Sequence, residues 1–542
     1  MVLELLLRTC FTQQHTHTSV QAGQPPVPAI PPTLLLAPHQ GHQGAMVRLP
    51  VLSLILGYLV GMTQSCQDRA SAYRYTGVVC RVTYPAALVL NEKTTKVIQT
   101  AFQHARYPDI QDTKSLLIFG NLLYALKNLQ IHNLTIGRSE VELRENDGVG
   151  LSISNVSATF QGNIKYGYGS WLLKMEQSVD FEIESKIDLV INPKLYCGQG
   201  KVAADTSDCY LTFHKLRIFL QGDKEPGWLK RIFTEFLSFT VKMVVRSQIC
   251  KEINNLSNIL ADFIQERAEH FLSDGDIGLD ISITSSPFVV PRYIESYHKG
   301  LARYHNYTAV INSSVFSPSQ LSDDRMLYFW VSDDMLNPLM SVAYQDGRFI
   351  HNITGKELTD LFKVDLSTAQ PTFLNELLSS ESSVLEAWSM SVPHLWTTPQ
   401  GTFVRATAAV ELTSGSDDPS APVLHFELEL EVVVRAGYAE KQLILNTKAT
   451  HISILKASLS PGEQQLSEDH KEYLKEAVVK IGIPKVISYL EPGLTNIMNR
   501  QGLHQFDLIN PEVVSQQGYT IVQLDFGFPH HLLVDFLKKT LE

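Results

Sequence analysis

Residues 179–189 read Val179-Asp-Phe-Glu-Ile-Glu-Ser-Lys-Ile-Asp-Leu189, and within them Val179-Asp-Phe181-Glu-Ile183-Glu and Ile187-Asp-Leu189 alternate apolar with charged side chains. Successive side chains of a strand point to opposite faces, so a period of two describes strands with one face buried and the other in water. Leu151-Ser-Ile153-Ser alternates in the same way, with turn residues between the stretches. Helical spacing brackets these strands. Glu92 to Arg106 puts Val97, Ile98, Ala101, Phe102 and Ala105 on one side, and a second, very long helical region runs from about Gly227 to Leu272. The first half therefore reads as a strongly bent antiparallel sheet with two helices to cover it.

The second half repeats the plan. Met326-Leu-Tyr-Phe-Trp-Val331 reads as a buried strand, Asp333 to Ala343 as a helix, and Phe403–Leu412 and His425–Val434 alternate. A long helix follows from about Glu468 to Arg500, interrupted near Gly482-Ile-Pro484. Between the halves, Asn306 to Arg325 is rich in Ser, Asn, Asp and Pro and reads as a linker. The region 227–272 carries Trp228, Phe233, Phe236, Phe239 and Met243 besides its aliphatic residues, more than one stripe hides. Either it is sandwiched between sheet and neighbour, which the residues by themselves favour, or its far side lines an apolar cavity.

At 542 residues, 44% hydrophobic and 19% charged, the chain can bury a large core. A formal charge of −11 argues against nucleic acid as the partner, since phosphate neutralisation needs a basic surface. Met46-Val-Arg-Leu-Pro, the apolar run Val51–Met62 and Thr63-Gln-Ser65 match a secretory signal cleaved before Cys66, with residues 1–45 an upstream extension. That run is shorter than the ~20 residues a bilayer span needs, and no other segment is long enough. Sequons stand at Asn133, Asn155, Asn255, Asn306, Asn312 and Asn352, of which Asn255 falls in a helical pattern and is set aside. Beyond residue 65 there are five cysteines, Cys66, Cys80, Cys197, Cys209 and Cys250. One bridge, with the others buried as small apolar groups, is the expectation.

No enzymatic signature is present: no G-x-S-x-G elbow, H-E-x-x-H, C-x-x-C or phosphate-binding loop. No metal is expected either, since His530 and His531 are adjacent and would not share a helix face. The C-terminus is more telling. After Pro529, the residues Leu532, Leu533, Phe536, Leu537 and Leu541 fall on one side of a helix, with Asp535, Lys538 and Lys539 opposite. Such a face must dock on something apolar, which suits a lid over a lipid site.

Several runs carry a resemblance. Cys80-Arg-Val-Thr-Tyr-Pro-Ala-Ala-Leu-Val-Leu90 and its continuation to Ile110, Asp208-Cys-Tyr-Leu-Thr-Phe-His-Lys215, Gly222-Asp-Lys-Glu-Pro-Gly-Trp228, Gln248-Ile-Cys-Lys-Glu-Ile253 and Leu272-Ser-Asp-Gly-Asp-Ile-Gly278 carry it. So do Arg325-Met-Leu-Tyr-Phe-Trp330, Asp507-Leu-Ile-Asn-Pro-Glu512 and Asp525-Phe-Gly-Phe-Pro-His-His-Leu-Leu-Val-Asp-Phe-Leu537. They resemble the neutral-lipid carriers of the lipid-transfer/lipopolysaccharide-binding superfamily, which includes the bactericidal/permeability-increasing proteins. The likeness runs from about Cys66 to the C-terminus and is weakest between Phe349 and Ala421.

The resemblance implies an α+β fold: an elongated boomerang of two pseudo-symmetric barrels, 66–305 and 326–525, joined by a central sheet and by the linker 306–325. Residues 526–542 would form the lid helix. A continuous apolar tunnel would hold neutral lipid, with phospholipid plugging each of two mouths. Its lining is expected at Val82, Leu90, Ser257, Ala261, Ile264, Leu272, Ile281, His298, Phe329, Val486, Met498, Phe506, Phe526 and Phe528. Cys209 and Cys250 stand at the family's disulfide positions. The implied function is carriage of cholesteryl esters and triglycerides between high- and low-density lipoproteins in plasma, without cofactor or catalysis. Phospholipid or lipopolysaccharide binding is the alternative within the superfamily, disfavoured by the acidic chain and the apolar terminal helix.

Overall fold

The structure is a computed structural model that describes residues 66, 73–104, 107–116, 120–145, 148–170, 173–198, 200–221, 234–235, 237–255, 258, 276–308, 311, 314–316, 322–379, 382–415, 422–461, 464–500 and 507–527. Strand β1 (Val78–Thr83) turns directly into helix α1 (Tyr84–His104). The helix starts well before the expected Glu92, because Pro85 sits in a first turn that has no use for its missing N–H, and Ala86 and Ala87 are buried. Its 21 residues span about 31 Å, enough to link two cores. Ala86 packs in a central cluster and Phe102 in the cluster of the first half.

That first-half cluster is built on long strands: β2 (Ile110–Leu116), β3 (Gly120–Thr135), β4 (Arg138–Arg144), β5 (Gly148–Ser170) and β6 (Leu173–Ile191). The hairpin of β7 (Lys194–Gly198) and β8 (Lys201–Asp205) precedes β9 (Cys209–Leu220). The sheet is antiparallel in the order β2-β3-β5-β6-β9, with β4 on β5. No turn separates Glu184 from Ile187, contrary to expectation: β6 is one strand of 19 residues. Ser185 keeps the period, faces inward, and donates its hydroxyl to the Ala158 carbonyl at 3.3 Å. A satisfied serine at a core position imitates a turn in the sequence. Opposite Phe181, a Cβ at Gly162 would lie 2.7 Å from the ring, so glycine is what admits it. Register shifts near Asn128 and Asn155, both at positive φ, bend the long strands.

Helix α2 (residues 237–255) lays Leu237, Val241, Val244, Val245 and Ile249 against Phe160, Phe181 and Ile183. Phe239 and Met243 are exposed on its other side. A disulfide between Cys209 and Cys250 pins β9 to α2. A second joins Cys66 to Cys197 on β7, so the expectation of a single bridge is corrected to two. Those sulfurs are 131 residues apart in the chain, and only the tertiary fold brings them together. Cys80 is a buried thiol.

Next come β10 (Ile277–Asp280), β11 (Phe288–Val290), β12 (Tyr293–His298), β13 (Leu301–Tyr304) and β14 (Tyr307–Thr308), the last formed inside the expected linker. Strand β15 (Leu327–Ser332) leads into α3 (Asp333–Gln345), whose N-cap Ser332 accepts the Asp334 N–H. A seven-stranded antiparallel sheet follows: β16 (Ile350–Thr354), β17 (Val384–Ser389), β18 (His394–Thr398), β19 (Gly401–Thr413), β20 (Val423–Ala439), β21 (Gln442–Ser460) and β22 (Gln464–Gln465). Helices α4 (Glu468–Ala477) and α5 (Ile483–Arg500) flank a π-turn, Val478–Gly482. The turn widens just before Pro484, which has no N–H for the preceding carbonyl. Strands β23 (Asp507–Gln516) and β24 (Tyr519–Gly527) complete a central antiparallel sheet, order β11-β12-β1-β15-β24-β23, drawn from both halves of the chain. Phe526 and Gly527 therefore close a strand and do not open the helix expected over 526–542.

Candidate functional site

Alternation along the central strands divides this sheet into two unlike faces. Val78, Cys80 and Val82 of β1, Leu327, Phe329 and Val331 of β15, and Val522, Leu524 and Phe526 of β24 point to one side. There they meet Leu90 of α1, Met335, Leu336 and Leu339 of α3, Ile281, and Leu494 of α5. The side chains between them point the other way, where Val79, Tyr297, Tyr328, Trp330 and Tyr519 form an aromatic cluster. Arg81 lies on that second face, its side chain 3% exposed, donating from Nε and Nη2 to Glu295 Oε2 at 2.9 and 2.6 Å. Its guanidinium also sits 3.7 Å from the centroid of the Tyr293 ring, and the Tyr297 hydroxyl donates to Glu295 Oε1 at 2.5 Å. Charge is thus confined to one face, and the other is apolar.

His298 shares the apolar face, in register with Val78. Its Nδ1–H donates to the Ile281 carbonyl at 2.9 Å and its Nε2 accepts the Ser296 hydroxyl at 2.9 Å, the neutral tautomer that satisfies both partners. Burial pushes the imidazole below its ordinary pKa, against the opposing pull of the bond to Ile281. A neutral ring with both nitrogens engaged offers no unpaired polar edge to an apolar occupant.

Of the residues expected to line a tunnel, Val82, Leu90, Ile281, Phe329 and Phe526 fall in this one cluster, with His298 beside it. Val486 stands apart on α5, 51% exposed, with Leu490 one turn on also exposed. Met498 falls on α5 with its side chain outside the described residues. Ser257, Ala261, Ile264, Leu272, Phe506, Phe528 and the helix residues Leu532, Leu533, Phe536, Leu537 and Leu541 also lie outside them, as does Asn312. Asn133, Asn155, Asn306 and Asn352 are all exposed. Reasoning from sequence missed the rest of the apolar face, because Leu327–Val331 is apolar throughout and buried on both sides, so its sequence does not say which side chains share a face. The buried Arg81–Glu295 pair was missed as well, and its one signal is a lone arginine inside an apolar strand.

The cleft between α1 and β4, of about 450 Å³, is rimmed by Arg138, Glu140, Glu142 and Arg144, the wrong chemistry for a neutral ligand. Among the described residues no group of His, Cys, Asp and Glu is placed to hold a metal ion, and no helix is long and apolar enough to cross a membrane.

The N-terminal domain model of the LBP / BPI / CETP family matches residues 88–262. Over 497 residues the chain is 45% identical to the cholesteryl ester transfer protein of Gallus gallus, a match covering 90% of this chain and 98% of that protein. The chain belongs to the LBP/BPI/CETP family. Over 498 residues it is 43% identical to the cholesteryl ester transfer protein of Homo sapiens, covering 91% of this chain and all of that one. Among solved structures, that of lipopolysaccharide binding protein aligns with 84% of the chain and 99% of its own, at 15% identity and a TM-score of 0.44.

Proposed function

We propose that the protein is a secreted carrier that moves cholesteryl esters and triglycerides between lipoprotein particles through an apolar tunnel. The observation that carries this reading is the 45% identity, over nearly the whole length of each chain, to a protein named for cholesteryl ester transfer. The apolar face of the central sheet gives it a physical basis. Each methylene brought into water costs about 0.8 kcal/mol, so an acyl chain crosses between particles slowly by itself. A wall of Val82, Phe329, Phe526 and their neighbours replaces water with comparable apolar surface, and transfer then needs no bond broken and no cofactor.

The two-barrel boomerang, the continuous tunnel and its phospholipid plugs belong to the same reading. What supports a duplicated plan is the order of the central sheet: β1 and β15 lie side by side, each runs into a helix, and each is flanked by a later hairpin of its own half. The segment 528–542 serves as lid over a tunnel mouth. Exposed Asn133, Asn155, Asn306 and Asn352, with Asn312, carry glycans. A catalytic role has no support, since the relatives matched are named for lipid transfer and binding.

The test is transfer of labelled cholesteryl ester from high- to low-density lipoprotein by the purified, folded protein. Transfer well above the spontaneous rate is expected. Its absence, with lipopolysaccharide or phospholipid bound instead, would sink the proposal.

A further inference from the structure

Three irregularities line up across the first-half sheet. The ladders β3–β5, β5–β6 and β6–β9 all shift register here, between Ile131 and Asn133, between Ile153 and Val156, and between Lys186 and Ile187. An extra residue bends a strand and re-aims its side chains. At this place the outer face of the sheet holds a pocket of about 260 Å³. Two rows of directly paired residues cross it, Thr135, Ser157, Lys186 and Lys215 in one and Asn133, Thr159, Glu184 and Arg217 in the other. Ala158 and Ser185 are buried beneath them.

The charges in this pocket do not balance. Lys186 and Lys215 stand directly opposite each other, a like-charge pair that destabilises a sheet. Among the described residues neither ammonium has an ion pair or a hydrogen bond to relieve it. Glu184, the carboxylate in the lining, approaches Arg217 only to 4.0 Å. Asp188, next on this face of β6, is already engaged by the Asn155 N–H at 2.9 Å and by His214. Three cations are therefore gathered in a recess of a chain whose formal charge is −11. That overall charge repels a long polyanion, so the recess suits a single anionic group. Its other lining groups ask for more than an anion. The Glu184 carboxylate only accepts hydrogen bonds, and the Asn133 amide and the hydroxyls of Thr135, Ser157 and Thr159 both donate and accept. Ala158 is the apolar residue among those lining it, too little to hold an acyl chain.

We propose that this pocket binds a polyol carrying one sulfate or phosphate ester, with the oxyanion between Lys186, Lys215 and Arg217 and the polyol hydroxyls on Glu184 and Asn133. The site is independent of the lipid-carrier reading. Two sources offer this chemistry, a soluble sugar ester and the headgroup of phosphatidylinositol.

The full-length protein is titrated calorimetrically with galactose 6-sulfate, with inorganic sulfate, and with phosphatidylinositol vesicles. The salt is about 0.1 M, where charges more than about 10 Å apart are largely screened. Saturable binding is expected for the sugar ester or the vesicles, and which of them binds assigns the source. Lys186→Gln and Lys215→Gln should each weaken it about tenfold, the factor a charge-assisted hydrogen bond is worth. Lys356→Gln, at an exposed lysine in the second half, should leave it unchanged. Glu184→Gln should weaken the ester while strengthening inorganic sulfate, a reversal that misfolding does not produce. Asn133→Gln, which removes any glycan at the lip, should bind at least as tightly as the wild type.

No saturable binding of either source up to about 10 mM would overturn the proposal. So would equal weakening by Lys356→Gln, which would mean a general field, or loss of binding in Asn133→Gln, which would mean that the glycan carries it. Inorganic sulfate bound as tightly as the ester would mean an adventitious ion only and would overturn the polyol assignment.

Discussion

His298 and Arg81 stand on opposite faces of one sheet, and each makes a measurable demand. Burial holds the His298 imidazole below its ordinary value of 6.5, so the unfolded chain takes up a proton before the native one does. The stability is complete above the unfolded pKa and declines as pH falls through it. We expect His298→Gln to flatten the loss of urea stability between about pH 8 and about pH 5; an equally steep decline in the variant would refute this assignment. Arg81 makes a different demand. Removing the guanidinium strands a buried Glu295 carboxylate, so Arg81→Met should cost about 3–5 kcal/mol in a denaturant titration, and adding Glu295→Leu should recover much of it. A loss below about 1 kcal/mol, the range of exposed pairs, would show the pair to be solvated.

Among the elements, α2 and the β7–β8 hairpin depend on covalent ties. The bridge Cys209–Cys250 closes a loop of 41 residues, and its removal by Cys209→Ser/Cys250→Ser should cost roughly 3–4 kcal/mol in the chain-entropy model. Non-reducing peptide maps should recover Cys66 joined to Cys197 and Cys209 joined to Cys250. Within residues 66–542, Cys80 alone should alkylate, and only after unfolding. Alkylation of Cys66 or Cys197 in the folded protein would disprove the second tie. Element boundaries show where sequence patterns mislead. Ser185 breaks an apolar run without breaking a strand, and the first two turns of α1 lie hidden behind a proline that helix starts accept.

For the whole molecule, the central sheet matters most, because strands from both ends of the chain share its apolar face. The terminal segment begins where that face ends, at Phe526. Deleting residues 536–542, or changing Leu533 and Phe536 to Glu, should cut cholesteryl ester transfer about tenfold or more, equivalent to ~1.4 kcal/mol in the barrier. The thermal midpoint should move by no more than about 4 °C, because the core clusters of the described residues are built from side chains outside this segment. Normal transfer by such variants would remove the lid from the mechanism.

The strand pattern around Phe181 and Ile183, the helix interrupted before Pro484, the buried run at Leu327–Val331 and the lack of catalytic motifs were all legible residue by residue, because each is written in local periodicity or local chemistry. The resemblance supplied the bridge between Cys209 and Cys250 and the candidates Val82, Leu90, Ile281, His298, Phe329 and Phe526. Taken singly, each of these reads as ordinary core. Only the tertiary structure decided that they meet, since a period of two says that a side chain is buried but not what it is buried against. It alone paired Cys66 with Cys197 and Arg81 with Glu295, and it placed β1 beside β15, because long-range contacts depend on how strands register and leave no mark in local sequence.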